Sequence, residues 1–201
     1  MSVPAFFAQL PALVLRDPLA EFLGASSDGL VEYRYVDAVK LAGHSCPTVA
    51  GAWLMTAMAL ERLYPGEAPE RGGIKVELRG AAHEGVVGVI ANVIALVTGA
   101  AGEGGFKGIA GRFERRGLLS FGAPIRGEAR FTRMDTGRSV EASFNADSVP
   151  SRPEMRPLLQ RALAAEASPA DRAAFAATWQ ERVQRILVER RDDPGLVRIV
   201  D

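Results

Sequence analysis

The sequence predicts an α+β domain, in which a β-sheet and helices are formed by separate parts of the chain. Segments that alternate with the period of a strand stand between segments with helical spacing, and glycine or proline separates them. The alternation is clearest at 127–133 and 138–145, which we expect to form a hairpin around the turn at 135–137. After Pro150 the chain is rich in alanine, glutamate and arginine at helical spacing, so we expect helices there.

The remaining elements follow from local chemistry. Asp17 and Ser168 each precede a proline and are typical N-cap residues, and Pro47 suits the first turn of a long helix. We expect 4–15 to be a short helix or docking arm and the tail beyond Asp193 to be peripheral. The other expected strands are 30–35, 74–78 and 118–121, and the expected helices are 18–23, a turn at 37–41, 47–63, 86–97, 153–165 and 169–190.

Length, charge and cysteine content limit the possible classes of protein. A chain of 201 residues is a suitable size for one domain, and 24 basic against 24 acidic residues give no overall attraction to nucleic acid or to an anionic membrane. The longest apolar run is too short to span a bilayer, and the N-terminus lacks the basic region of a secretory signal. The single cysteine excludes an internal disulfide. We therefore expect a soluble, cytoplasmic protein without nucleic-acid or membrane partners.

A metal site is the leading chemical interpretation. His44 and Cys46 stand one residue apart at the start of the helix predicted from Pro47, and imidazole with thiolate suits zinc or another divalent transition metal. A third ligand is needed, and His83 is the only other histidine. Glu84 follows it and is the first candidate for a general base acting on metal-bound water.

Other interpretations of the same residues stay open. Free cysteine is often a small buried apolar residue, and Cys46 beside a histidine at a helix start also fits an activated thiol nucleophile. The glycine-rich segment 99–108 lacks the Walker pattern, which favours a tightly packed loop or a lid. The arginine-rich segment 112–133 is either a solvated, salt-bridged face or an anion-binding rim, with Lys107 and Arg112 as the first anion contacts.

The segment Gly43-His44-Ser45-Cys46-Pro47 resembles the Gly-His-x-Cys-Pro signature of the FmdE-like family, which is named after a component of formylmethanofuran dehydrogenase. A looser similarity runs from Asn92 through Thr98-Gly99 to Gly105-Phe106-Lys107-Gly108. The resemblance implies a mixed sheet covered by helices, as in the second domain of glyceraldehyde-phosphate dehydrogenase. It also implies a homodimer, and zinc on His44 and Cys46.

The chain departs from the family pattern where the family has further cysteines, since Val89 and Ala100 stand at two of those positions. The sequence therefore predicts an FmdE-like domain at 1–150 and a C-terminal helical extension at 151–201 that packs on it. The predicted function is a zinc-binding protein that binds a small molecule or cofactor through His44, Cys46 and His83. The alternative is an accessory scaffold with a structural metal, in which the C-terminal helices at 153–190 bind a partner or the second protomer. An exposed apolar stripe on the last helix would favour this alternative, and its residues are Phe175, Trp179, Val183, Ile186 and Leu187.

Overall fold

Two sheets are present in residues 2–201, the part of the chain that the computed structural model describes. The first is a short antiparallel pair, and the second has five strands. The strands are β1 (Leu13–Arg16), β2 (Leu30–Tyr33), β3 (Ile74–Leu78), β4 (Leu119–Ser120), β5 (Ala129–Arg133), β6 (Ser139–Phe144) and β7 (Val197–Val200).

The helices begin and end where capping chemistry places them. Asp17 accepts the N–H groups of Leu19 and Ala20, and Ser168 forms a capping box with Asp171. No helix within residues 2–201 is long and apolar enough to cross a membrane. The helices are α1 (Pro18–Phe22), α2 (Tyr35–Ala42), α3 (Pro47–Leu63), α4 (Val87–Thr98), α5 (Met155–Leu163) and α6 (Pro169–Gln184), the last continued by a π-helical turn at Arg185–Glu189.

The five-stranded sheet is mixed, with the order β4-β3-β5-β6-β7. Strand β3 runs parallel to β4 and antiparallel to β5, and every other pairing is antiparallel. Along β3 the side chains of Ile74, Val76 and Leu78 are buried, whereas Lys75 and Glu77 are half-buried on the opposite face. The expected α+β class with a mixed sheet packed against helices is therefore confirmed.

Helix α3 lies at the centre of the core, against the sheet and against α4. Gly51 lets it approach β6, because a Cβ added there would come within 2.4 Å of the Phe144 ring. Leu63, Met55 and Val49 on the same helix have no solvent exposure. The apolar run that was expected as a buried helix is α4, with Ile94 and Val97 fully buried.

The C-terminal segment belongs to this same core. Val183, Ile186 and Leu187 have no solvent exposure, and the half-buried Trp179 packs against the core. This side of the last helix, from Phe175 to Leu187, is therefore not the exposed apolar stripe that would have favoured the scaffold alternative. Its apolar side chains are used to cover the chain's own core.

The two chain ends differ from expectation. The tail beyond Asp193 is not peripheral: Leu196 and Val197 are each 1% exposed, and β7 pairs with β6 along the sheet. Near the N-terminus, the segment 4–15 contains a 3-10 helix at Ala5–Gln9 and then enters β1. Phe6 and Phe7 of that turn are buried in the core. Both ends are thus anchored by apolar side chains.

Candidate functional site

The His44–Cys46 segment forms the entry to α3. Cys46 is the N-cap residue, 8% exposed, and its Sγ accepts the N–H of Val49 at 3.5 Å. The exposed His44 ring has Nδ1 2.9 Å from the carbonyl oxygen of Ala42. Pro47 occupies the first helical position, as expected. The thiol and the imidazole are therefore each engaged by neighbouring backbone.

Helix α6 holds this segment in place. Trp179 Nε1 and Gln180 Nε2 both donate to the Ser45 carbonyl oxygen, at 2.9 and 3.1 Å. The hydroxyl oxygens of Ser45 and Tyr35 are 3.0 Å apart, and burial raises the pKa of Tyr35 above its usual value. Tyr35 therefore stays neutral and hydrogen-bonded, and the loop is fixed from two sides.

His83 and Glu84 lie in the exposed turn that precedes α4. The Glu84 carboxylate accepts the N–H of Ala81 at 3.1 Å. It also faces a cavity of about 210 Å³ whose wall includes Glu128 and apolar side chains of α4. Nothing in this geometry tests a catalytic role for Glu84, which stays a prediction.

The predicted metal-binding function is wrong. In residues 2–201 there is no group of three or more histidine, cysteine, aspartate or glutamate side chains placed to hold a metal ion. His44, Cys46 and His83 therefore do not form the three-ligand sphere on which that function depended. Sequence spacing could suggest the first two ligands, but convergence with the third depended on the fold.

A different cluster of polar side chains is brought together between α1 and the segment that follows the glycine-rich loop. We call it the arginine cleft. Its volume is about 360 Å³. Its walls are formed by Pro18, Leu19, Glu70, Arg71, Gly72, Arg112, Phe113, Glu114 and Arg115.

An ionic cluster lies beside the cleft. The carboxylate of Asp17, 5% exposed, accepts hydrogen bonds from Arg115 Nη2 at 2.6 Å and from Arg71 Nη1 at 3.1 Å. Burial by itself raises the pKa of Asp17, but the Ala20 N–H and the Arg115 guanidinium favour the charged form and hold that pKa below its usual value. Two guanidinium groups thus share one carboxylate.

The arginines retain unused hydrogen-bonding capacity. Nε of Arg71 and Nε of Arg115 are buried without a hydrogen-bond partner in the described residues. Gly99 makes room for the second of these side chains: a Cβ there would lie 2.5 Å from Arg115 Nη1, and the residue has φ +72°. The left-handed backbone and the close approach both require glycine at this position.

A constrained loop at 109–113 contributes Arg112 and Phe113 to the wall of the cleft. Ile109 and Arg112 exchange backbone hydrogen bonds of 2.8 and 2.9 Å. Ala110 and Phe113 have φ of +48° and +62°, the two non-glycine residues with positive φ in the described chain. Such backbone is uncommon for a bulky residue and clusters at functional sites. No sequence signal marked it, because the segment reads as an ordinary polar turn.

The arginine-rich segment is in part the salt-bridged face that the sequence offered as one alternative, and the anion-binding rim stays a prediction. Arg116, Arg130 and Arg133 pair with carboxylates, as expected of a salt-bridged surface. Arg112 is exposed, and no carboxylate in residues 2–201 lies within ion-pairing distance of it. Lys107 is also exposed but lies outside the wall of the cleft.

Arg71 and Asp17 were not among the expected site residues. Asp17 was expected only as a helix cap, and its partners lie 54 and 98 positions away along the chain. No local pattern could have joined them.

The comparisons with known proteins give no family for this chain. No protein-family profile matches it, and no curated protein matches it. The resemblance to the FmdE-like family therefore rests on the sequence motif alone and stays a prediction.

Proposed function

We propose that this protein binds a small molecule bearing a carboxylate or phosphate group in the arginine cleft. The observation that carries the proposal is a cluster of three guanidinium groups in the wall of the cleft, from Arg71, Arg112 and Arg115. Arg71 and Arg115 share the single buried carboxylate of Asp17, and Arg112 has no carboxylate partner among residues 2–201. Guanidinium groups bind carboxylates and phosphates with paired N–H donors, so a ligand anion matches the chemistry of this wall.

The acidic side chains of the cleft wall do not pair with these three arginines. Glu114 pairs with Arg116, which lies outside the wall. Glu70 is exposed and makes no ion pair within the described chain, and water screens its charge as it screens that of Arg112. Arg112 is thus the cation best placed to meet an incoming anion, while Arg71 and Arg115 supply a fixed positive potential behind it.

A titration followed by amide NMR tests the proposal. Inorganic phosphate and benzoate are added separately to the wild type, to Arg112→Gln and to Arg172→Gln. Arg172 is the matched control because it is an exposed arginine on α6, away from the cleft and without an ion pair in residues 2–201. We expect saturable shifts at residues 70–72 and 112–115, with an affinity about fivefold weaker in Arg112→Gln, the effect of about 1 kcal/mol from one exposed charge pair. Shifts elsewhere, or equal affinity in the two variants, would refute the proposal.

We also propose that the chain forms a homodimer, as the resemblance implies. Strand β7 is an edge strand of the sheet and Val200 is 44% exposed, which supports pairing of this edge with a second copy. Light scattering on the wild type and on Val200→Lys provides the test. A dimer that dissociates when the edge gains a charge supports this arrangement; a monomeric wild type contradicts it.

A further inference from the structure

We infer that the ligand of the arginine cleft carries a planar ring next to its anionic group. This inference rests on the proposed function and specifies the chemical class of the ligand. It comes from a second feature, an aromatic pair formed by Phe113, in the strained loop of the cleft wall, and Phe22 at the end of α1, which lies outside the wall. Neither residue is required by the anion-binding argument.

One ring of the aromatic pair is half-buried in the cleft wall, and the other is exposed and lies outside the wall. The ring centroids of Phe22 and Phe113 are 5.2 Å apart with the planes tilted by 34°. Phe22 is 57% exposed, and Phe113 forms part of the cleft wall. Aromatic rings pair favourably at such separations, so this pair offers a surface on which a ligand ring could pack.

The position of Phe113 is fixed by the loop that carries it. Its φ of +62° is disfavoured for a bulky residue, so the backbone must be held there by neighbouring contacts. Gly108 permits the tight loop, because a Cβ there would lie 2.4 Å from the Arg112 carbonyl oxygen. Arg115 N–H donates to the Phe106 carbonyl oxygen at 2.9 Å and closes the loop base. The backbone that carries Phe113 is thus held in one conformation at the cleft.

Arg112 connects the two parts of the recognition. Its guanidinium carbon lies over the Phe113 ring, 4.8 Å from the centroid. A ligand anion that pairs with Arg112 draws the guanidinium off the ring face, and a ring on the same ligand takes its place. The exchange needs only a change of side-chain rotamer, which is common on binding.

The size of the cleft limits the ligand further. A volume of about 360 Å³ is at the lower end of the 300–1,000 Å³ typical of small-molecule sites. One ring with one anionic group is therefore favoured over a dinucleotide or another extended cofactor. An aryl carboxylate and an aryl phosphate share this chemistry.

Two matched ligand pairs test the inference, and calorimetry or NMR gives their affinities. Benzoate is compared with cyclohexanecarboxylate, which has the same charge and a similar size but no flat ring. Phenyl phosphate is compared with inorganic phosphate, which lacks the ring. The affinities of benzoate and phenyl phosphate identify the preferred anion. We expect the flat-ring ligand of each pair to bind about three- to tenfold more tightly to the wild type, the effect of one aromatic contact.

The variants are Phe113→Leu and Phe113→Gly. The second removes the ring and also relieves the positive φ, so it keeps the fold if the first does not. In both variants the two ligands of each pair should bind with about equal affinity, while the anion still binds. Equal affinity for benzoate and cyclohexanecarboxylate in the wild type, or a preference that survives both variants, overturns the ring inference and leaves the anion site intact. If none of the four anions binds in the cleft, the proposed function itself fails.

Discussion

Replacement of Asp17 by asparagine isolates the energetic role of the ionic cluster. The carboxylate caps α1 through the N–H groups of Leu19 and Ala20, and it is also the only counter-ion in the described chain for Arg71 and Arg115. Asparagine is about as good an N-cap as aspartate, so the cap is retained in the variant. What the substitution removes is the negative charge between two largely buried guanidinium groups.

The expected loss of stability follows from burial. Removing one partner of a buried ion pair costs about 3–5 kcal/mol, because the remaining charge is left without compensation. The side chain of Arg115 is 9% exposed and that of Arg71 is 19% exposed, so water still screens part of the second charge. We therefore expect about 3 kcal/mol, the lower end of that range. For a chain of this length, this lowers the Tm by roughly 6–12 °C.

Urea unfolding and thermal melts at neutral pH measure this change. Asp135→Asn is the control, because Asp135 also pairs with an arginine but its side chain is 61% exposed. We expect the control to lose less than about 1 kcal/mol. We argue that loss of the Asp17 carboxylate leaves buried arginine charge without compensation. Equal losses of stability in Asp17→Asn and Asp135→Asn would refute this argument.

The difference in stability between the wild type and Asp17→Asn should also depend on pH. The pKa of Asp17 is lowered in the folded state, so the unfolded state takes up the proton first as the pH falls. The stabilisation is therefore fully present above the unfolded pKa of about 3.9 and is lost as the pH falls through the folded pKa. We expect the difference in stability between wild type and Asp17→Asn to shrink between about pH 5 and about pH 2. A difference that is constant over this interval contradicts the assignment.

The remaining predictions concern packing and the thiol. Gly51→Ala should destabilise the protein by about 1–3 kcal/mol despite the higher helix propensity of alanine, because its Cβ would clash with the Phe144 ring; urea unfolding measures the change. Leu196→Ala should cost about 2–4 kcal/mol, whereas Val200→Ala should cost less than about 0.5 kcal/mol, because the first side chain is 1% exposed and the second 44%. Cys46, 8% exposed, should react with Ellman's reagent only slowly in the folded protein and rapidly in urea.

Each of these predictions has a control or a result that would contradict it. Gly104→Ala is the control for Gly51→Ala, since a Cβ at Gly104 would meet nothing within 4 Å. Similar costs for Leu196→Ala and Val200→Ala would mean that the tail is not part of the core. Fast reaction of Cys46 in the folded state would support the activated-thiol interpretation instead.

Much of the fold could be predicted from local signals. Helix α3 and strand β3 were expected with the bounds that the structure has, because Pro47 starts the helix and a strict alternation marks the strand. Strand β7 and strand β1 were missed. Each has four residues, too few for a clear alternation, and each is a strand only because a neighbouring strand provides hydrogen-bond partners.

For the candidate site, the sequence and the tertiary structure each decided different features. The sequence by itself determined that Cys46 stands at a helix start, that Asp17 caps another helix and that Arg112 lies in an arginine-rich segment, since each of these depends on adjacent residues. Only the tertiary structure decided that the three potential metal ligands do not form one group among the described residues and that Asp17 meets Arg71 and Arg115. The physical reason is that ligand spheres and ion clusters depend on distances between segments remote in sequence, and packing of the core sets those distances.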